Sequence, residues 1–160
     1  SAATASTSHP SQPITRCLGH FELSLDDRGR LNLPARFREL LDDVVVIARG
    51  KERCLVGYSA SEWERISTSL DGLSITNDDN FRALELLYAF SSDEEIDRQG
   101  RILLPAYLRQ YAEITNEVVV HGLNTRFVIW SKDNWNIEQR VLDKIGPDLV
   151  QRLEQHGVRL

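Results

Sequence analysis

The chain has 160 residues, of which 41% are hydrophobic and 27% are charged, with a formal net charge of −5. This composition suits one compact domain or two small, closely packed ones, and it excludes wholesale disorder. The negative net charge argues mildly against nucleic-acid binding, but the distribution of charge along the chain matters more than its sum. No apolar run approaches the roughly 20 residues of a membrane helix, and no secretory pattern opens the sequence. We therefore expect a cytoplasmic protein with no membrane partner.

The first part of the chain is predicted to be a tail followed by a short β-rich unit. Residues 1–15 are rich in Ser, Ala, Thr and Pro without an apolar period, which predicts disorder. Residues 16–63 form the first unit. Its predicted elements are a strand at 17–25, a turn at 26–29, a strand at 30–33, a helix at 34–41, a hairpin with strands at 44–47 and 54–58, and a helix from about residue 60. Ser59 and Glu62 match the capping box of that last helix.

Residues 64–91 are predicted to be a linker region in which Asp78 caps a helix that ends near Phe90. Residues 92–138 then repeat the order of elements of the first unit. Gly146 and Pro147 predict a break before a C-terminal helix within 139–160, which Gly157 is expected to end.

The sequence is an internal duplication. When residues 25–40 are aligned with 96–111, seven of 16 positions are identical and the pattern D-x-x-G-R-x-x-L-P-A-x-x-R is kept. Each unit alone is too small to bury a good core, so the two must pack together. We predict an α+β, strand-rich fold of two tandem β-turn-β-α-β-β-α repeats in a pseudo-symmetric barrel with interleaved strands and flanking helices. Strands left at its edges would favour association of subunits.

Positive charge concentrates on the repeated element. Residues 28–38 carry four arginines and residues 98–109 carry three, with no acid in either window. These arginines are the candidates for contact with a polyanion such as DNA: Arg28, Arg30, Arg36, Arg38, Arg98, Arg101 and Arg109. Asp26 and Asp97 are predicted to orient the guanidinium groups, whose planar forks suit phosphate and guanine. The alternatives are an ordinary solvated arginine face and a plain salt bridge within each turn.

The remaining residues show no pattern typical of a metal site or a catalytic site. Cys17 and Cys54 are lone cysteines and the four histidines are scattered, so we expect no metal site. No motif places a nucleophile beside a base, and we predict no enzyme, no cofactor and no small-molecule substrate. The three tryptophans are predicted to lie in the core, and the acids at 93–95 to lie at a solvated edge.

The paired D-x-x-x-R motifs at 26–30 and 97–101, each running into Leu-Pro-Ala, resemble those of the MraZ family of tandem AbrB/SpoVT-type modules. The segments Arg49–Leu55 and Phe127–Trp130 are also similar to the family's. The resemblance covers roughly residues 16–143 and implies a double-psi, swapped-hairpin barrel.

The resemblance also implies a function. Members of the family are bacterial, nucleoid-associated transcription regulators that bind short direct repeats upstream of the division and cell-wall gene cluster and repress their own operon. They assemble as homo-oligomeric rings on double-stranded promoter DNA. By this resemblance Arg28, Arg30 and Arg101 are expected at the DNA. Gln99 and Tyr107 replace Arg28 and Arg36 in the second repeat, so we expect the first repeat to lead.

Two other function classes stay open at this stage. The protein could be an antitoxin-like or scaffold protein that acts through protein–protein contacts, or a nonspecific nucleoid-associated protein. A scaffold would not retard its own upstream DNA specifically, and a nonspecific protein would bind scrambled DNA equally well.

Overall fold

The computed structural model describes residues 16–160, so the predicted tail at 1–15 lies outside the described residues. The strands are β1 (His20–Ser24), β2 (Arg30–Asn32), β3 (Val44–Arg49), β4 (Leu55–Ser59), β5 (Ser92–Glu95), β6 (Arg101–Leu103), β7 (Glu117–Gly122) and β8 (Arg126–Ser131). The helices are α1 (Ala35–Arg38), α2 (Ala60–Leu70), α3 (Asp78–Ala89), α4 (Ala106–Tyr111) and α5 (Lys132–Gln155). A 3-10 turn at Lys51–Arg53 joins β3 to β4. Within this part of the chain no helix is both long and apolar enough to cross a membrane.

The two repeats exchange strands. A six-stranded antiparallel sheet has the order β1-β7-β8-β4-β3-β5, and a separate ladder joins β2 to β6. β1 of the first repeat therefore pairs with β7 of the second, and β5 of the second pairs with β3 of the first. The predicted strand-rich α+β fold with interleaved repeats is confirmed.

A local twofold axis relates the repeats. Leu31 pairs with Ile102, its own counterpart in the duplication, at the centre of the β2–β6 ladder. Val56 pairs in the same way with Val128 where β4 meets β8. Since equivalent residues face each other at both places, the duplication in the sequence has become a symmetry of the fold.

One hydrophobic core is shared by both repeats. Leu31, Phe37, Ile102 and Leu108 are fully buried in it, and Phe127 of β8 joins them. The next side chains along β8 point to the opposite face of the sheet, because strand side chains alternate. There Val128 and Trp130 form a smaller cluster with Cys54.

The helices that follow each hairpin are capped by equivalent serines. Ser59 Oγ accepts a hydrogen bond from the Glu62 amide, and Ser131 Oγ accepts one from the Asn134 amide, both at 3.1 Å. This confirms the predicted N-cap of the first helix. The Glu62 carboxylate, however, does not return to the cap as a capping box requires. It binds Arg65 and, at 2.6 Å, Arg126 of the second repeat.

The cap predicted for the linker helix is wrong by one residue. Asn77, not Asp78, caps α3, because its side chain accepts a hydrogen bond from the Asn80 amide at 3.1 Å. Asp78 lies instead in the first turn, where a negative charge favours the helix N-terminus.

The predicted break at Gly146–Pro147 is also wrong, since α5 runs unbroken from Lys132 to Gln155. A proline disfavours the helical region for the residue before it mainly through that residue's Cβ, which Gly146 lacks. The carbonyl of Asp143 loses its intrahelical donor, but this surface is exposed and water can replace the amide. The expected end at Gly157 is confirmed: it has φ +86°, and the Gly157 and Val158 amides donate back to Glu154 and Leu153.

Candidate nucleic-acid interface

The first arginine turn is built around the carboxylate of Asp26. One oxygen accepts hydrogen bonds from the backbone amides of Arg28 and Arg30, at 3.0 and 2.8 Å. The other oxygen accepts a hydrogen bond from Nε of Arg30 at 2.7 Å. Gly29 closes the turn with φ +78°, a conformation that costs glycine little. The aspartate therefore fixes both the backbone of the turn and the direction of the Arg30 side chain.

The second turn repeats this arrangement. Asp97 accepts hydrogen bonds from the backbone amides of Gln99 and Arg101, both at 2.9 Å. It also accepts one from Nε of Arg101 at 2.8 Å, and Gly100 has φ +80°. Because the same bonds recur in both repeats, the arrangement is a property of the repeated motif.

These hydrogen bonds favour the ionised form of each aspartate. The pKa of Asp26 lies below its ordinary value, first because of the Arg30 backbone amide and then because of the Arg30 side chain. The pKa of Asp97 is lowered in the same way by the amide and side chain of Arg101. Both carboxylates are thus ionised acceptors at neutral pH.

The β2–β6 ladder brings the two turns onto one surface. Leu31 and Ile102 point into the core, so their neighbours on the strands point outward. Arg30 and Arg101 have 28% of their side-chain surface exposed, and Nη1 of Arg101 lies 3.9 Å from Oδ2 of Asp26. The two guanidinium groups and their aspartates therefore form one cluster, which we call the turn cluster: Asp26, Arg30, Asp97 and Arg101.

Three of the other predicted arginines have exposed side chains. Arg28 and Arg98 lie on the two turns, and Arg36 lies on α1. None of the three forms an ion pair within residues 16–160. Their charges are therefore free to meet an external anion. Tyr107, the counterpart of Arg36, contributes no charge and donates a hydrogen bond to the Ser91 carbonyl at 3.3 Å.

Arg38 and Arg109 are placed differently from the others. Each is only partly exposed, and each lies against the turn glycine of the opposite repeat. Nε of Arg109 donates to the Leu104 carbonyl at 2.9 Å, whereas Nε of Arg38 is buried without an acceptor among the described residues.

Sequence reasoning missed two outward-facing residues of the ladder. Asn32 and its counterpart Leu103 are both exposed and flank the turn cluster, with Asn32 opposite Arg101 and Leu103 opposite Arg30. The signal was present, because the alternation that places Leu31 inside places both of its neighbours outside.

The tryptophans pack in the folded body, and the acidic run lies at an edge of the large sheet. Trp130 is buried, and Trp135 packs beside it with ring centroids 6.4 Å apart. Trp63, half-buried, packs between Tyr58 and Tyr88. The acids at 93–95 lie on β5, an edge strand of the large sheet. Across residues 16–160 no group of three or more His, Cys, Asp or Glu side chains is arranged to hold a metal ion.

Taken together, the interleaved sheet and the paired aspartate-held arginines define the class of protein: a tandem swapped-hairpin module that presents two equivalent basic turns from one chain. The family model described as "MraZ protein, putative antitoxin-like" matches residues 17–85 and 89–145. The chain belongs to the MraZ family.

Similar proteins cover most of the chain. A protein of Roseiflexus castenholzii named Transcriptional regulator MraZ is 38% identical over 138 residues, which are 86% of this chain and 96% of the relative. Proteins with the same name from Lactiplantibacillus plantarum and Thermomicrobium roseum are 43% and 40% identical, over 117 and 136 residues. These alignments cover 73% and 85% of this chain, and 83% and 96% of the relatives.

Proposed function

We propose that this protein is a sequence-specific DNA-binding transcriptional regulator and that the turn cluster is the centre of its DNA interface. The observation that carries the proposal is the convergence of two aspartate-oriented arginines, Arg30 and Arg101, on one ladder. Further exposed arginines on the two turns and on α1 form no ion pair within residues 16–160. Membership of a family whose members are named transcriptional regulators supports the same conclusion.

The orientation of the arginines determines what they can contact. The Nε atoms of Arg30 and Arg101 are used by the aspartates, so the Nη groups are the donors that remain for DNA. Two such donors in a fixed orientation match the paired acceptors of a guanine edge, whereas an arginine without a fixed orientation can still neutralise a phosphate. We propose that the turn cluster reads bases and that Arg28, Arg36 and Arg98, which lie further out, neutralise phosphates. Neutralised phosphates release counterions, so binding should weaken steeply as salt rises.

The two repeats are not expected to contribute equally. The first repeat carries exposed Arg28 and Arg36, whereas Gln99 and Tyr107 occupy the matching positions of the second. Arg98 restores one charge to the second repeat. The second repeat also presents Leu103 where the first presents Asn32, so one face offers an apolar contact and the other an amide. We propose that this difference sets the polarity of binding on DNA.

We propose further that the protein binds DNA as a homo-oligomer, such as the ring implied by the family resemblance. Apolar side chains on α5 are exposed to solvent, and so are several on α3. The exposed set is Phe81, Leu86, Tyr88, Ile137, Val141, Leu142, Ile145, Leu149, Val150 and Leu153. Contiguous exposed apolar side chains of this kind favour protein–protein contact. Several weak interfaces engaged on direct repeats would combine into one strong interaction.

The proposed target is the protein's own promoter, in the division and cell-wall gene cluster, with repression as the outcome and the nucleoid as its place in the cell. These points rest on the family resemblance. We assign no catalytic role and no cofactor.

A gel-shift titration tests the proposal. Wild-type protein should retard its own upstream DNA more strongly than a scrambled fragment of equal length, at each of two salt concentrations. The double variant Arg30→Ala/Arg101→Ala should bring the affinity for the native fragment close to that for the scrambled one, because the proposed base contacts are lost while the phosphate contacts remain. The matched control Arg82→Ala/Arg152→Ala removes two exposed arginines from α3 and α5 and should keep the wild-type preference for the native fragment.

The competing functions predict different results. Equal retardation of native and scrambled DNA would indicate nonspecific binding. No retardation of either DNA, by a protein that still folds and oligomerises, would indicate a scaffold and refute the proposal.

A further inference from the structure

Each turn glycine is covered by an arginine from the opposite repeat. A Cβ placed on Gly100 would lie 2.6 Å from Cζ of Arg38, and a Cβ placed on Gly29 would lie 2.9 Å from Cζ of Arg109. The two guanidinium groups therefore occupy the volume that a side chain on the turn would need. Arg38 and Arg109 are themselves equivalent in the duplication, so the contact is made twice and in crossed fashion.

The backbone reinforces the crossed contact. The Leu104 amide of the second repeat donates to the Gly29 carbonyl of the first at 3.0 Å, and the Leu33 amide donates to the Gly100 carbonyl at 3.0 Å. Nε of Arg109 also donates to the Leu104 carbonyl. Arg109, Leu104 and Gly29 thus form a continuous chain of contacts that ends on the first turn.

We propose that Arg38 and Arg109 are positioning residues and not DNA ligands. Arg38 holds the turn that carries Arg101, and Arg109 holds the turn that carries Arg30. This inference rests on the proposed function. A glycine with positive φ is the point at which such a turn can most easily change shape, and an overlying guanidinium removes that freedom before DNA arrives. Preorganisation of this kind lowers the entropic cost of binding.

The two contacts are unequal. Nε of Arg109 donates to the Leu104 carbonyl, whereas the Nε of Arg38 is buried and meets no acceptor within residues 16–160. The hold of Arg109 on the first turn is therefore the stronger of the two. This agrees with the proposal that the first repeat leads in DNA binding.

The side-chain Nε–H signals of Arg30 and Arg101 in nuclear magnetic resonance test the crossed arrangement without DNA. Each Nε–H donates a hydrogen bond to its aspartate, so its proton should exchange slowly with water. Arg38→Ala should speed the exchange of the Arg101 proton and leave that of Arg30 unchanged. Arg109→Ala should do the reverse. Arg38→Lys and Arg109→Lys, which keep the charge but lose the planar fork, should reproduce each effect in weaker form.

The second measurement is the salt dependence of DNA affinity. Arg38→Ala should weaken binding by about fivefold, a factor typical of having to order one long side chain on binding, and should keep the wild-type salt slope. In an Arg101→Ala background, Arg38→Ala should cause no further loss of affinity, because the side chain that Arg38 positions has already been removed. Arg36→Ala is the matched control: it lies on the same helix, is exposed, and should lower the slope by about one.

Several results would overturn the inference. A salt slope lowered by about one in Arg38→Ala, with both Nε–H signals unchanged, would show that Arg38 is a phosphate ligand. Equal loss of both signals in either variant would indicate general loosening. If wild-type protein bound no DNA, the proposed function would fail, while the crossed exchange pattern would still decide whether these arginines hold the turns.

Discussion

The substitution Gly57→Ala probes the interleaving of the two repeats directly. Gly57 on β4 pairs with Phe127 on β8, and a Cβ on Gly57 would lie 2.6 Å from Cε1 of that ring. Phe127 is fully buried and stacks on Phe37, with ring centroids 6.0 Å apart, so the ring cannot swing into solvent. The glycine is needed because a side chain from one repeat occupies the space above the strand of the other.

The cost of this substitution follows from the close packing of the core. One extra methyl group in a filled core typically destabilises a protein by about 1–3 kcal/mol. At about 2–4 °C per kcal/mol for a chain of this size, the melting temperature should fall by about 2–12 °C.

Thermal melting followed by circular dichroism, with urea denaturation for the free energy of unfolding, measures the effect. Phe127→Leu should also destabilise the protein, by leaving a cavity. Combined with Gly57→Ala it should cost less than the sum of the two changes, because the smaller side chain admits the new methyl group. Gly72→Ala is the matched control, since its Cβ would meet nothing closer than the Ser69 carbonyl oxygen at 4.0 Å. A Gly57→Ala protein that melts within about 1 °C of wild type would refute this register of β4 against β8.

Three further predictions concern ionisable groups and caps. Because the pKa values of Asp26 and Asp97 lie below the ordinary 3.8, their stabilising effect should be complete above that pH and be lost as the pH falls through their folded values. Urea denaturation from about pH 5 to pH 2 should therefore show the difference between wild type and Asp26→Asn/Asp97→Asn shrinking towards acid, and a constant difference would contradict the assignment. Burial raises the pKa values of Cys17 and Cys54 to about 11, so a disulfide reagent at pH 8 should label both thiols slowly in the native protein and rapidly after unfolding. Rapid native labelling would show that these thiols are accessible. Ser131→Ala should destabilise the protein by about 1 kcal/mol by removing the cap of α5, and unchanged urea denaturation would argue against that cap.

The parts of the fold that could be predicted from sequence are those with local signals, and the duplication shows most of these signals twice. Alternation at Leu31 and Leu33 fixes which side of β2 faces the core, and the same pattern around Ile102 fixes β6. These signals lie within a few residues of one another, so periodicity can detect them. The capping of α2 by Ser59 is local for the same reason.

The partners of the strands could not be predicted in detail. That β1 pairs with β7 depends on contacts between segments about a hundred residues apart, and no local pattern encodes that register. Local preference also misled at Gly146–Pro147. A proline there predicts a break, but a glycine before it and an exposed carbonyl allow α5 to continue.

The turn cluster was partly predictable. An aspartate four residues before an arginine, with glycine between them, indicates a turn in which the two side chains meet, as they do at Asp26 and Arg30. The placement of Arg38 and Arg109 was not predictable, because the residue type alone does not distinguish an arginine that faces solvent from one that packs on the other repeat. That distinction depends on tertiary structure.

The exchange of strands has a consequence during synthesis on the ribosome. Among the described residues the ladder partner of β1 is β7, so β1 stays unpaired until residues 117–122 have been translated. Until then the apolar surface of the N-terminal half stays exposed, because strands that are far apart in sequence pair slowly. The unpaired strands of two newly made chains can then pair with each other instead of within one chain. We therefore expect the rate of translation through residues 117–131 to affect how much protein reaches the native state.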